Sequence, residues 1–143
     1  MTELLLCKGS ISSVLEIGTG SGYQACVLAK LIDRVYTVER ISGMLERAAL
    51  KFEMLGLRNI HSYHSDGLTG LEQHGPFDGI ILTASPTHIP DSLVEQLVVG
   101  GRMVLPLSSE DLQELVVVTR TKADFEVEVV ERVNFVPLVS GKL

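Results

Sequence analysis

The segment Ser13-Val14-Leu15-Glu16-Ile17-Gly18-Thr19-Gly20-Ser21-Gly22-Tyr23 constrains the fold of this chain more than any other. A short apolar run ends in three glycines at alternate positions, and apolar residues then recur at Ala25, Val27, Leu28, Leu31 and Ile32. That order predicts strand, tight loop, helix. Glycine suits such a loop because a Cβ would obstruct both a sharp turn and the approach of a ligand to the backbone. The spacing argues against two phosphate cradles. A G-x-G-x-x-G dinucleotide fingerprint would need glycine where Tyr23 stands, and the Gly-Lys-Ser/Thr of a P-loop is absent.

The rest of the chain continues the alternation. Arg34 to Glu39 is rich in β-branched residues and predicts a second strand. Ser42 reads as an N-cap, followed by Met44, Leu45, Ala48, Ala49, Phe52 and Leu55 at helical spacing, with Gly56 suited to close the helix. A strand is expected near Asn59 to His64. The continuous apolar run Asp78 to Ala84 marks a central strand covered on both faces. A helix over about Asp91 to Val98, a turn at Gly100-Gly101 and a strand over Arg102 to Leu107 follow. Glu114 to Thr121 and Glu126 to Val136 read as two further strands, antiparallel if a tight turn joins them.

The expected class is therefore α/β: an open, mainly parallel, Rossmann-like sheet of about seven strands, with helices on both faces and an antiparallel strand pair at the C-terminal end. The 143 residues, 45% of them apolar, contain no linker, repeat or low-complexity stretch, so residues 1–143 are expected to form one domain. Three clear helices are few for two sheet faces. An incompletely covered face, and self-association through it, is the expected consequence. The chain also opens on what reads as the last turns of a helix with no cap before it, which predicts a further segment upstream.

Twelve Lys and Arg against 18 Asp and Glu give a net charge of −6, with the basic residues scattered, so nucleic acid is not an expected partner. No run is long enough to span a bilayer and the N-terminus lacks a basic signal region, so a cytoplasmic protein without membrane contact is expected. Cys7 and Cys26 lie in apolar contexts and read as two buried thiols in a reducing compartment. No metal site is expected: His61 and His64 would face opposite ways on a strand, and His74 and His88 fall in loops.

In open α/β sheets a ligand sits beyond the carboxyl ends of the strands, where the chain order reverses. Glu16, just before the glycine loop, would repel pyrophosphate and attract an ammonium or sulfonium group. Glu39 ends the second strand at a spacing where an acid commonly takes a ribose hydroxyl pair. Adenosine with a cationic tail describes S-adenosylmethionine better than NAD. With Val38-Glu39-Arg40, Pro76 to Leu82 and Gly100 to Pro106 following in order, the chain resembles a class I S-adenosylmethionine-dependent methyltransferase. Met1-Thr2-Glu3-Leu4-Leu5, Leu15 to Gln24, Tyr36 to Arg40, Ile89-Pro90 and Val133 to Leu138 are similar, end to end, to the bacterial protein-L-isoaspartate O-methyltransferase family.

The resemblance implies methyl transfer from S-adenosylmethionine, with S-adenosylhomocysteine as product, to the α-carboxylate of L-isoaspartyl residues in damaged proteins. The ester then collapses to a succinimide and reopens partly as normal aspartate. It implies that Gly18, Gly20 and Gly22 line the methionine end of the cofactor, that Glu39 takes the ribose, and that Asp66 and Gly67 lie beside the adenine. Thr83, Ala84, Val136, Pro137 and Leu138 correspond to substrate-facing segments. The family's Thr-Ile-Ser-Gln-Pro motif has no counterpart in this chain, so no catalytic serine is carried over and the catalytic residue stays unassigned. A cofactor-binding fragment without turnover and a small-molecule O-methyltransferase stand as alternatives. An amino-methyltransferase would want Asn/Asp-Pro-Pro-Tyr where this chain has Thr83-Ala84-Ser85-Pro86, and a metal-assisted catechol-type enzyme would want more carboxylates than Asp78 and Asp91.

Overall fold

A computed structural model describes residues 1–143. In chain order the elements are α1 (Thr2–Leu6), β1 (Ser13–Ile17), α2 (Tyr23–Ala29), β2 (Arg34–Glu39), α3 (Ser42–Met54), β3 (Ile60–His64), β4 (Phe77–Leu82), α4 (Asp91–Val94), β5 (Leu97–Ser108), β6 (Gln113–Arg120) and β7 (Phe125–Arg132). Two 3-10 turns, Gly67–Thr69 and Glu72–His74, lie between β3 and β4. The seven strands form one sheet in the order β3-β2-β1-β4-β5-β6-β7. β1 to β5 pair in parallel, while β6 runs antiparallel to β5 and β7 antiparallel to β6. From β1 the chain steps outward to β2 and β3, then returns to place β4 on the other side of β1. The order therefore reverses between β1 and β4, which opens a crevice at their carboxyl ends.

The two-residue period of the strands divides the core into two layers. Val14, Val35, Ile81, Val104 and Val117 pack with Leu5 of α1, Ala25 and Leu28 of α2, and Ala48 and Phe52 of α3. On the other face, Leu15, Ile17, Val38, Ile80, Leu82 and Met103 pack with Leu71 and with Leu93 and Val94 of α4. Each fully buried aliphatic side chain stabilises the fold by about 1.5–3 kcal/mol. α1, α2 and α3 thus share one face, and the other carries only one-turn α4, the two 3-10 turns and connecting chain. Gly70, Gly75, Pro76, Pro86 and Pro90 lie in those connections and discourage longer helices there.

Several local expectations change. Ile41, not Ser42, takes the N-cap of α3; Ser42 is the first helical residue, and its N–H donates to the Leu143 carbonyl at 3.0 Å. α4 stops at Val94 rather than near Val98 because Leu97 pairs with Phe77 as β5 begins. Gly100-Gly101 is not a turn but lies within β5, where the register against β4 shifts between Phe77 and Gly79. A bulge accommodates the extra residues, with Gly100 at φ +86°. β4 ends at Leu82, before Thr83-Ala84, and β7 ends at Arg132; from there Gln113 of β6 holds the Phe135 backbone instead of a ladder. The Gly56 closure is as expected: Gly56 adopts φ +68°, and Leu57 N–H donates back to the Phe52 carbonyl at 3.0 Å. The two cysteines are free but not buried. Cys7 is exposed at the end of α1, where its thiol donates to the Leu4 carbonyl, and Cys26 is half-buried on the outer side of α2.

Candidate functional site

The crevice at the strand-order reversal holds a cavity of about 320 Å³. That is enough for a small ligand. Its floor is the start of the glycine loop, Ile17, Gly18 and Gly20; one wall is the end of β2, Val38 to Ile41, with Met44 of α3. Thr83 and Ala84 after β4, Gly67, and Val136 to Val139 close the opposite side.

The loop is held in shape from two directions. The N–H groups of Gly18 and Thr19 both donate to the Val38 carbonyl, at 2.8 and 3.2 Å. The Thr83 hydroxyl bonds the Gly18 and Ile17 carbonyls at 2.6 and 3.1 Å. Gly18 sits at φ +97° with its missing Cβ aimed at Thr83 Oγ1, so the position requires glycine for both conformation and space. Gly20, at φ +53°, faces open space. Its bare backbone is available to a ligand.

Glu39 is buried at the end of β2. Burial raises its carboxyl above the usual range, while the backbone N–H groups of Arg40 and Gly20 and the Arg40 charge pull it back. Beside it, the buried Arg40 Nε has no hydrogen-bond partner in the protein. The Glu39 carboxylate at this strand end is an acceptor that suits a polyhydroxylated ligand, and Val38, Ile41, Met44 and Leu138 supply apolar surface for a flat ring.

Of the residues singled out from sequence, Gly18, Gly20, Glu39, Gly67, Thr83, Ala84, Val136, Pro137 and Leu138 line this one cavity. Three do not. Glu16 lies fully buried beneath the loop: Thr37 donates to its Oε1 at 2.6 Å, Thr19 contacts Thr37 at 2.6 Å, and Oε2 has no partner. Desolvation pushes its pKa up to about 8 against the Thr37 hydrogen bond, with the Glu39 charge adding to the rise. Burial thus favours the protonated form of Glu16, and its carboxyl does not line the cavity where a cation would sit. Gly22 is buried away from this cavity, and a Cβ there would meet the Phe52 ring at 2.9 Å; its bare Cα lets α2 and α3 pack. Both carboxylate oxygens of Asp66 are engaged, Oδ1 by Leu68 N–H and Oδ2 by Gly141 N–H, each at 2.9 Å.

Arg40, Ile41, Met44 and Val139 were not singled out as site residues and lie on the walls. The position of Arg40 and Ile41 directly after a parallel strand was the available signal. No group of three His, Cys, Asp or Glu is arranged to hold a metal ion.

A mostly parallel sheet with an antiparallel end pair, a glycine loop after β1 and an acid at the tip of β2 define a protein of the class I methyltransferase fold. Solved structures agree on the fold. A protein-L-isoaspartate O-methyltransferase superposes with TM-score 0.89 at 24% identity, covering 96% of this chain and 45% of that one. A Plasmodium falciparum structure provisionally named for the same activity, in complex with S-adenosyl-L-homocysteine, matches with TM-score 0.79 at 23% identity, over 90% of this chain and 66% of that one. The family model for protein-L-isoaspartate(D-aspartate) O-methyltransferase matches residues 1–143, and the chain belongs to that family. The Nitrosococcus oceani protein-L-isoaspartate O-methyltransferase 1 is 53% identical over 140 residues, 97% of this chain and 66% of the relative. The Pseudomonas aeruginosa protein-L-isoaspartate O-methyltransferase is 45% identical over 143 residues, 100% of this chain and 68% of the relative. The chain thus spans about two thirds of the length of the curated relatives it matches.

Proposed function

We propose that this chain carries the S-adenosylmethionine site of an enzyme that methylates the α-carboxylate of L-isoaspartyl residues in proteins. One observation carries the proposal: Gly18, Gly20 and Glu39 of the residues assigned to the cofactor, and Thr83, Ala84, Val136, Pro137 and Leu138 assigned to the substrate from family resemblance, line the same cavity. The site suits the cofactor. Glu39 can accept from a ribose diol, and Gly20 lets a ligand lie against bare backbone.

Bound there, S-adenosylmethionine supplies an electrophilic methyl group on a sulfonium. The acceptor is a free α-carboxylate with a pKa of about 3.5, already ionised at neutral pH, so the reaction needs no general base. What the residues must contribute is position and dryness. Thr83 locks the loop beside Ala84, and Val136 and Pro137 line the same side. No catalytic residue is assigned.

Isothermal titration with S-adenosylmethionine, beside a methyl-ester release assay on an isoaspartyl peptide, tests the proposal. Micromolar binding with ester release supports it; binding without release leaves a cofactor-binding protein, and no binding overturns both. The same reading treats residues 1–143 as one domain acting in the cytoplasm, in keeping with two unpaired cysteines. Self-association through the thinly covered sheet face belongs to it as well. Val127 and Val129, 46% and 55% exposed on β7, are the surface concerned. A concentration-independent monomer by light scattering would remove that part.

A further inference from the structure

α2 and α3 lie side by side on one face of the sheet, and their outer side carries a groove of about 630 Å³, about twice the volume of the cavity. Tyr23, Val27 and Leu31 line it from α2 and the residues just after it, and Leu55 lines it from the end of α3. Three of these are large and open to water: Tyr23 is 76% exposed, Leu55 64% and Leu31 53%. Single exposed apolar residues are ordinary, but a group of them along one groove marks a contact surface.

Charge narrows what the groove can take. The chain has 18 Asp and Glu against 12 Lys and Arg, yet Lys30 and Lys51 line the groove and no acid does. Both lysines are exposed. Lys51 Nζ donates to the Ser21 carbonyl at 3.1 Å and can donate twice more. Both ammonium fields reach the interior of the groove: burial raises the Cys26 thiol above its usual range, with Glu16 adding to the rise, and Lys30 and Lys51 pull it back. A positive, apolar groove on a protein of net charge −6 selects an occupant that is apolar and acidic.

Position indicates where that occupant comes from. The groove begins at Ser21 and Tyr23, and Gly20 of the same loop lines the cavity. Three residues span at most about 11 Å, so an extended peptide passes from cavity to groove in three or four residues. We infer that the groove is an exosite for the protein substrate. With the isoaspartyl carboxylate in the cavity, an apolar stretch of the same substrate chain bearing Asp or Glu, beginning three or four residues away, lies along Tyr23, Leu31 and Leu55 and meets Lys30 and Lys51. The inference rests on the proposed methyl transfer and adds to it a preference for what flanks the damaged residue.

Steady-state ester release by the full chain from three isoaspartyl peptides tests it. One peptide is short and ends before the groove; the other two are extended on both sides by apolar residues interspersed with Glu or with Lys. At low salt the Glu-flanked peptide is expected to show a KM about tenfold below that of the short one, through two ion pairs and apolar contact. Its kcat should not change, because an exosite binds ground state and transition state alike. The advantage should shrink at about 0.5 M salt. In Lys30→Glu with Lys51→Glu the order should reverse in favour of the Lys-flanked peptide, which a structural disturbance alone would not produce. Lys30→Glu by itself leaves the Lys51 bond to the loop intact and should remove part of the preference.

Equal KM for the Glu-flanked and Lys-flanked peptides in the wild type overturns the exosite and leaves the methyl transfer standing. A Glu-flanked peptide without isoaspartate that binds by fluorescence anisotropy, with no gain in KM for its isoaspartyl counterpart, gives the groove to a separate acidic partner and overturns the substrate assignment. A mass in light scattering that falls in Leu31→Glu gives the groove to a second copy of the chain and overturns it likewise. No ester release from any of the three peptides overturns the methyl transfer and the exosite together.

Discussion

Glu16 shows how one residue can satisfy a motif and serve a different physical purpose from the one its charge suggests. It occupies the acid position before the glycine loop, yet it is wholly enclosed, with one oxygen bonded to Thr37 and the other unpartnered. Its pKa of about 8 in the folded chain lies above the ordinary carboxylate value, so folding favours the protonated form. That contribution is fully present below about pH 4.5 and is lost as pH rises to about 8, because in this window the folded state binds a proton the unfolded state does not. Each pKa unit corresponds to about 1.4 kcal/mol as an upper bound. Urea unfolding between pH 5 and 8 should therefore show falling stability in the wild type and a much flatter profile in Glu16→Gln, whose amide is neutral throughout. Equal slopes in the two proteins would refute the assignment. Glu39 differs because it lines the cavity. Glu39→Ala should weaken S-adenosylmethionine binding by about 10- to 100-fold, the loss of charge-assisted hydrogen bonds to a diol. Calorimetry reads this directly, and an unchanged dissociation constant would place the ribose elsewhere.

At the scale of elements, the cavity depends on how the β1 loop meets the chain leaving β4. Thr83 hydroxyl bonds to the Gly18 and Ile17 carbonyls join them. Thr83→Val keeps the shape and removes the hydroxyl, so it should cost about 1–3 kcal/mol in thermal or urea unfolding. Gly18→Ala should cost at least as much. It places a Cβ against that hydroxyl and asks an L residue to hold φ +97°. Thr83→Ala combined with Gly18→Ala should then be less damaging than the sum of the two changes, since the smaller residue relieves the collision. Strict additivity would show that backbone conformation, not the clash, is the cause.

For the molecule as a whole, the open edge of the sheet matters most. β7 leaves one side of its backbone unpaired, with Val127 and Val129 on the thinly covered face and Glu126 and Glu128 on the other. Charges on an edge strand hinder edge-to-edge pairing. Glu126→Thr with Glu128→Thr should raise concentration-dependent association in light scattering, and an unchanged mass across concentrations would show that the edge is protected by other means. Much of this architecture was legible in the chain. Strand period, the glycine loop and the glycine closing α3 are local features, and they located every strand and the loop at its first turn. The strand ends, the one-turn length of α4 and the bulge at Gly100-Gly101 were not, because pairing with β4 decides them. Nor could sequence separate the acid on the cavity wall from the acid beneath it. Glu16 and Glu39 both lie at the carboxyl-terminal parts of strands, and only the packing around Glu16, with Thr37 bonded to it, removes it from water. The sequence by itself determined the class of fold and the loop that faces the ligand, since those follow from local backbone preference and hydrophobic period. Tertiary structure alone decided which carboxylates meet the cavity and that Asp66 meets the Gly141 backbone, because burial and long-range hydrogen bonds exist only once distant segments meet.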